Sequence, residues 1–170
     1  MPQNLELKIK LKSFDKIIEL LKNIKATYVK ELKQKDVYYK TPGKLLKLRI
    51  ENGEPCLIKY NRDEKGENRF SNYKILYFKS ENVEGFLSDI FKIEMVVQKR
   101  RRLYLFDNTR IHLDVVRKLG KFLELETLVI NDKEDSKYRF NTIIEKLQLD
   151  TSNQIRKSYI DLMKEVEKTK

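Results

Sequence analysis

Basic residues alternate with aliphatic residues along several short stretches of this 170-residue chain. In Leu46-Lys-Leu-Arg-Ile50, for example, Lys47 and Arg49 share one parity, and the aliphatic residues share the other. Such alternation is typical of a β-strand with one apolar and one polar face. Cations gathered on one surface would suit a dense anion, of which a polyphosphate is the commonest small example. The bases on these polar faces are Lys8, Lys10, Lys47, Arg49, Arg62, Lys99, Arg101 and Arg110.

Acidic residues share the same polar faces. Glu124 and Glu126 lie two residues apart, while Glu6 and Asp114 occupy equivalent positions in two other alternating stretches. Carboxylates repel phosphate unless a divalent cation lies between them, and their oxygens are the hard ligands that Mg²⁺ or Mn²⁺ takes. Acids and bases on one wall therefore indicate a site for a metal–triphosphate complex.

A sheet with one face in water would give the same alternation on any single strand. The stretches considered together favour a polar interior, because apolar helical stripes elsewhere in the chain need the aliphatic faces to pack against. Charges inside a curved sheet cannot be buried unpaired, so that interior must be wet and must hold a counter-ligand.

The periodicity predicts the elements that position these residues. Ser13 is the expected N-cap of a helix whose apolar stripe runs from Phe14 to about Ile24. The other helices are expected at 83–91, 133–147 and 152–168, and Asn52-Gly53 is a hairpin signal. About eight strands with helices inserted early and late predict an α+β fold with a mainly antiparallel sheet that could close into a barrel. The predicted strands are 4–11, 27–39, 45–51, 56–62, 70–78, 95–106, 110–115 and 121–129.

Composition excludes several classes of site. The chain carries 37 Lys or Arg against 26 Asp or Glu, a net charge of +11, but only one histidine and one cysteine, Cys56. It therefore cannot supply the four N/S ligands of a structural zinc site or form an internal disulfide. Its five glycines lie too far apart for a phosphate-binding loop. The single cysteine fits a reducing cytoplasm, and no apolar run is long enough to cross a bilayer.

Ordered motifs along the whole chain resemble one known family. Asn4-Leu-Glu-Leu-Lys8 matches the signature ExExK, with asparagine in the position of the first glutamate. The chain resembles the CYTH superfamily, also called triphosphate tunnel metalloenzymes, which includes class IV adenylate cyclases and thiamine triphosphatases. The ending Ser158-Tyr-Ile-Asp-Leu162 is similar to the class IV cyclase-like branch. The other matching segments are Asp36-Val-Tyr-Tyr39, Leu46-Lys-Leu-Arg49, Leu57-Ile-Lys-Tyr-Asn-Arg62, Thr109-Arg-Ile-His-Leu-Asp114 and Leu119-Gly-Lys-Phe-Leu-Glu-Leu-Glu126.

The resemblance implies a single domain over residues 1–170, built as an eight-stranded antiparallel β-barrel that forms a triphosphate tunnel with flanking helices. Glu6, Glu124 and Glu126 would bind Mg²⁺ or Mn²⁺. Asp114 would complete the acidic side or orient a reacting hydroxyl. His112 is a candidate general base, or it orients Asp114 or a phosphate. Lys8 and Arg110 would act at the reacting phosphate, and the remaining grip on the triphosphate would come from Lys10, Lys47, Arg49, Arg62, Lys99 and Arg101.

Three functions stay open at this point. A class IV adenylate cyclase-like enzyme would convert ATP to cyclic AMP and pyrophosphate, whereas a triphosphatase in the same tunnel would hydrolyse thiamine triphosphate or inorganic tripolyphosphate. A non-catalytic binder of polyphosphate or RNA is less favoured, because carboxylates among the bases would repel phosphate. We therefore expect a triphosphate substrate, no nucleic-acid or membrane partner, and a homodimer as one alternative for the oligomeric state.

Overall fold

The computed structural model describes residues 3–42, 45–62, 70–79 and 82–169, without the side chains of 60–62 and 70–72. The helices within these ranges are α1 (Asp15–Asn23), α2 (Val83–Ile90), α3 (Lys133–Lys146) and α4 (Tyr159–Lys168), with a 3₁₀ turn at Thr151–Asn153. None of these helices is of a length and hydropathy that would let it span a membrane. The strands are β1 (Gln3–Leu11), β2 (Thr27–Tyr39), β3 (Leu45–Glu51), β4 (Glu54–Arg62), β5 (Phe70–Tyr77), β6 (Ile93–Phe106), β7 (Thr109–Val116) and β8 (Gly120–Leu128).

The strands form a closed antiparallel barrel in the order β1-β5-β4-β3-β2-β6-β7-β8, which confirms the predicted fold. Strand β1 closes the barrel because it pairs on both sides. It meets β8 from Asn4 to Leu11 and meets β5 over Gln3 to Leu5. The Asn52-Gly53 hairpin joins β3 to β4, and both of its residues have positive φ, at 51° and 98°. That geometry is what a tight two-residue hairpin turn requires.

The aliphatic parity of the strands faces outward and is covered by helices. Leu7, Leu113 and Leu123 belong to a buried cluster that α1 and α3 complete with Leu21 and Ile143, among others. Helix α2 packs in the same way on the outer side of β2 and β3, where its Val83 and Leu87 meet Val37, Tyr39 and Leu48. Burial of these apolar surfaces stabilises the fold by roughly 25 cal/mol per Å². Since successive side chains alternate, the polar parity must point into the barrel.

Helix α4 lies at one end of the barrel. Its Tyr159, Ile160 and Met163 pack against residues of β6, β7 and β8. A capping box between Ser158 and Asp161 begins the helix at Tyr159, so the prediction that it begins at 152 was wrong. The segment before the capping box is instead held against β1, where the backbone N–H of Ile155 donates to the carbonyl of Lys8 at 2.8 Å.

Helix α1 also differs slightly from the prediction. Phe14 occupies the N-cap position in place of Ser13, and it contributes no side-chain hydrogen bond. The Ser13 hydroxyl still accepts a hydrogen bond from the backbone N–H of Asp15 at 3.1 Å. The serine therefore satisfies one of the free N–H groups at the start of the helix from one residue further out.

Candidate functional site

Charged side chains fill the interior of the barrel. Six of them, from five different strands, are between 0 and 6% exposed. Because an unpaired charge is costly at such depth, each of these groups needs a partner of opposite sign. The six residues are Lys8, Asp36, Lys47, Lys99, Arg101 and Asp114.

Asp36 holds two of the expected phosphate-binding bases. It lies directly opposite Arg49 in the β2–β3 ladder. Its carboxylate accepts hydrogen bonds from Arg49 Nε at 2.7 Å, from Arg49 Nη2 at 2.8 Å and from Lys47 Nζ at 2.7 Å. Burial alone would raise the pKa of Asp36, but Arg49 and Lys47 together hold it well below its usual value. Asp36 belongs to the segment Asp36-Val-Tyr-Tyr39, for which the sequence alone indicated no role.

Asp114 organises a second group of charges, on the neighbouring strands β6, β7 and β8. It accepts two hydrogen bonds from Arg101, at 2.7 and 2.6 Å, one from Lys99 at 3.3 Å and one from the Tyr159 hydroxyl at 2.9 Å. Arg101 also contacts Glu124. Burial would raise the pKa of Asp114, but Arg101 and Lys99 lower it to about 2. Asp114 is therefore an ionised carboxylate that positions bases.

Tyr159 brings the C-terminal helix into this cluster. Lys8 Nζ lies 4.1 Å and Lys99 Nζ 4.7 Å from the centroid of its ring, distances at which an aromatic face attracts ammonium groups. Burial and the nearby Glu124 raise the pKa of the Tyr159 phenol well above its usual value. The phenol is consequently a neutral hydrogen-bond donor.

The acidic residues of β1 and β8 face each other across the ladder. Glu6 lies directly opposite Glu126, and Lys8 lies opposite Glu124, 3.2 Å away. On the other side of β8, Arg110 Nη2 lies 2.8 Å from Glu126. Burial would raise the pKa of Glu126, but neighbours that include His112 and Arg110 bring it to about 2. Like charges directly opposite each other destabilise a sheet unless a cation lies between them.

The residues at this position fit a divalent metal. Ligand atoms of His112, Glu124 and Glu126 all lie within 4.8 Å of one another. The buried Nδ1 of His112 and the buried Oδ1 of Asn4 have no hydrogen-bond partner among the described residues. Carboxylate, amide and imidazole donors of this kind suit Mg²⁺ or Mn²⁺. Two of the three expected ligands, Glu124 and Glu126, are therefore close together, and His112 joins them, whereas Glu6 is placed near them only by its pairing with Glu126 in the β1–β8 ladder.

His112 is poorly suited to gain a proton. Burial, and then the positive charge of Arg101, lower its pKa to about 3. Its imidazole is consequently neutral near pH 7 and acts as a hydrogen-bonding group or a metal ligand.

One of the expected site residues, Lys10, stands apart from this cluster. Lys10 is exposed at the end of β1, with Nζ 5.8 Å from the ring centroid of Phe122. The alternation placed it on the polar face of β1, and it pairs with Phe122 in the β1–β8 ladder, but its side chain is exposed near the end of the strand. The side chain of Arg62 lies outside the described part of the chain.

The interior divides into two cavities. The first, the α4 chamber, is lined by Lys8, Lys47, Lys99, Glu124 and Tyr159, among others. The second, the far chamber, combines apolar side chains with Asn4, Gln34, Glu51, Tyr73 and Arg110. Several polar residues line the far chamber and not the α4 chamber. Of these, the sequence had indicated roles for Arg110 and His112 and the substitution at Asn4, but no role for Gln34, Glu51 or Tyr73. The residues that line both cavities are Glu6, Arg49, Arg101 and Glu126.

Comparison with known proteins agrees with this architecture. A Methanocaldococcus jannaschii protein named as a candidate adenylate cyclase is 29% identical over 92% of this chain and 96% of its own length. The solved structure of a Pyrococcus horikoshii protein superposes with a TM-score of 0.79 and 27% identity, covering 94% of this chain and 98% of that one.

A more distant structure shows the same fold. It comes from Hippeastrum, with a TM-score of 0.70 and 13% identity over 98% of this chain and 96% of that one. That protein is named as a candidate adenylyl cyclase with a dominant triphosphatase activity. The family model of the CYTH domain matches residues 2–159, so this chain belongs to the CYTH domain family.

Proposed function

We propose that this protein is a metal-dependent enzyme that acts on a triphosphate and converts ATP to cyclic AMP and pyrophosphate. The observation that carries the proposal is the combination, inside one barrel, of buried cations with an acidic cluster suited to a divalent metal. A binder that used only positive charge would have no need of those carboxylates.

The cations are positioned before any substrate arrives. Asp36 holds Lys47 and Arg49, and Asp114 holds Lys99 and Arg101, at hydrogen-bonding distances of 3.3 Å or less. Groups that are already oriented need little reorganisation when charge develops on a phosphate. Arginine forks can additionally grip phosphate oxygens in pairs. This arrangement supports binding of the β- and γ-phosphates in the α4 chamber.

The acidic cluster would hold the metal. Glu6, Glu124 and Glu126 supply carboxylates, with the His112 nitrogen and the Asn4 carbonyl oxygen nearby. A bound Mg²⁺ or Mn²⁺ supplies charge neutralisation for phosphate oxygens. The neutral Asn4 lowers the negative charge available there, which favours fewer metal ions than a fully acidic signature would.

The position of the acidic cluster favours attack at the α-phosphorus. Glu6 and Glu126 line both chambers, so they lie between the lysine-rich chamber and the more apolar one. A nucleotide with its terminal phosphates among the lysines would present its α-phosphate at this boundary. Attack by its 3′-hydroxyl forms the new P–O bond, and the bond to pyrophosphate breaks. The name of the archaeal relative points the same way.

Hydrolysis is the second candidate. Water would attack the γ-phosphorus of thiamine triphosphate or inorganic tripolyphosphate, and the same cations would serve that reaction. A product assay separates the two. Purified protein is incubated with Mg²⁺ or Mn²⁺ and each triphosphate in turn, with EDTA as the control, and products are resolved by mass spectrometry.

Cyclic AMP with pyrophosphate, formed only with metal, is the expected result. Orthophosphate without cyclic AMP would replace cyclisation with hydrolysis. If no substrate gave a metal-dependent product, the assignment of the protein as an enzyme would be wrong. A non-catalytic binder of polyanions would then be the better interpretation.

A further inference from the structure

The far chamber contains a buried amide whose orientation is fixed. Gln34 on β2 lies directly opposite Glu51 on β3, and its Nε2 donates to Glu51 Oε2 at 2.5 Å. Because a carboxylate accepts hydrogen bonds only, this contact assigns the nitrogen and the oxygen of the amide. Gln34 is 4% exposed, and its Oε1 has no hydrogen-bond partner among the described residues.

A second unpartnered acceptor lines the same cavity. Asn4 on β1 is 3% exposed, and its Oδ1 likewise lacks a partner within the described ranges. Buried carbonyl oxygens without donors are costly and uncommon in folded proteins. The Asn4 oxygen is already placed at the candidate metal site, so the Gln34 oxygen is the acceptor that indicates a ligand with a hydrogen-bond donor in this chamber.

The walls of the far chamber differ from those of the α4 chamber. Leu32, Ile58, Ile75 and Leu103 contribute apolar surface, whereas lysines dominate the other cavity. The donors within the far chamber are partly engaged, since Arg110 pairs with Glu126 at 2.8 Å. Aliphatic side chains beside polar ones give this chamber a mixed lining, which suits an organic group that has both an apolar face and hydrogen-bonding edges.

We propose that the far chamber binds the base of a nucleoside triphosphate and that Gln34 Oε1 accepts a hydrogen bond from the 6-amino group of adenine. The proposal rests on the triphosphate-processing function and identifies the organic part of its substrate. The Glu51 carboxylate positions Gln34, because it holds the amide nitrogen and leaves the oxygen directed at the ligand. Inorganic tripolyphosphate, which has no base, would leave this chamber unused.

Equilibrium binding tests the proposal without turnover. We would titrate the wild-type protein calorimetrically in buffer that contains Ca²⁺ in place of Mg²⁺ or Mn²⁺, with ATP, with purine riboside triphosphate, which lacks only the 6-amino group, and with inorganic tripolyphosphate. One hydrogen bond to a buried acceptor predicts about tenfold tighter binding of ATP than of the deaminated analogue. In the Gln34→Met variant the two nucleotides should bind equally, and tripolyphosphate should bind as it does to the wild type.

Gln98→Met is the matched control. Gln98 is exposed on the outer face of β6, so the same substitution there should preserve the tenfold preference. Equal binding of ATP and its deaminated analogue to the wild type would overturn the base contact, and this comparison needs no variant to fold. In that case, retained binding of tripolyphosphate would leave the proposed function standing. Loss of binding for all three ligands would contradict both the base contact and the proposed triphosphate-processing function.

Discussion

Tyr159, the first residue of α4, donates a hydrogen bond of 2.9 Å to Asp114, which lies 45 residues earlier on β7. The same carboxylate accepts hydrogen bonds from Lys99 and Arg101 of β6. One buried acid therefore fixes two interior cations and the helix at the end of the barrel. The C-terminal helix is coupled to the interior through this contact.

Tyr159→Phe should loosen that coupling while it keeps the aromatic ring. We expect a loss of about 1 kcal/mol in the free energy of unfolding, the usual value of one hydrogen bond, measured by urea denaturation. The ring beneath Lys8 and Lys99 remains, so substrate KM should change little. Tyr138→Phe is the matched control because Tyr138 is 74% exposed. Equal stability of the wild type and both variants would contradict a structural role for the hydroxyl.

Neighbouring bases on β6 should differ sharply in function. Lys99 faces the interior at 6% exposure, whereas Arg100 is exposed on the outer face. Lys99→Ala removes a charge-assisted contact to phosphate and should raise KM for the triphosphate by about 10- to 100-fold. Arg100→Ala should leave steady-state kinetics unchanged. If the two variants behaved alike, the assignment of the inner face to substrate binding would be wrong.

Asp36→Asn should be strongly destabilising. The substitution leaves Lys47 and Arg49 without their buried counter-charge, and breaking such a cluster costs about 3–5 kcal/mol. Chemical denaturation at pH 7 measures the loss. Asp107→Asn, at an exposed turn between β6 and β7, serves as the control and should be near neutral.

The effect of Asp36 should also depend on pH. Its pKa is lowered in the folded protein, so its contribution is fully present above the unfolded pKa near 4 and is lost as the pH falls further. The difference in unfolding free energy between wild type and Asp36→Asn should therefore shrink below about pH 4. A difference that grew on acidification would contradict the ion-pair assignment.

Glu126→Gln should separate metal binding from folding. Arg110, the partner of Glu126, has a side chain that is 34% exposed, so water can solvate it and we expect the barrel to stay folded by circular dichroism. Loss of a carboxylate ligand should weaken Mn²⁺ binding, measured by titration calorimetry, and abolish metal-dependent turnover. Glu134→Gln, at a side chain that is 82% exposed, should bind metal normally. Full turnover in Glu126→Gln would remove Glu126 from the metal site.

Much of the fold was predictable from period-two alternation, since that pattern depends on which face of a strand meets apolar surface. The alternation through Lys99 and Arg101 correctly put these two residues inside and Arg100 and Arg102 outside. The same reasoning placed Lys10 on the polar face of β1 but could not show that its side chain is exposed near the end of the strand.

Errors arose where the local signal was ambiguous. The segment from 152 has helix-compatible residues, but a hydrogen bond from Ile155 to Lys8 holds the chain extended before α4 begins. Asp36 stayed without a role because its partners, Lys47 and Arg49, depend on the pairing of β2 with β3.

The sequence alone determined that the polar parity of several strands carries both bases and acids, because alternation is a local property of the chain. It therefore determined the chemistry of the interior. Only the tertiary structure decided which charges meet, because cross-strand register and barrel closure set every contact between them. The pairing of β1 with β8 puts Glu6 opposite Glu126. The register between β2 and β3 puts Gln34 opposite Glu51. The division into a lysine-rich chamber and an apolar chamber follows from those long-range pairings.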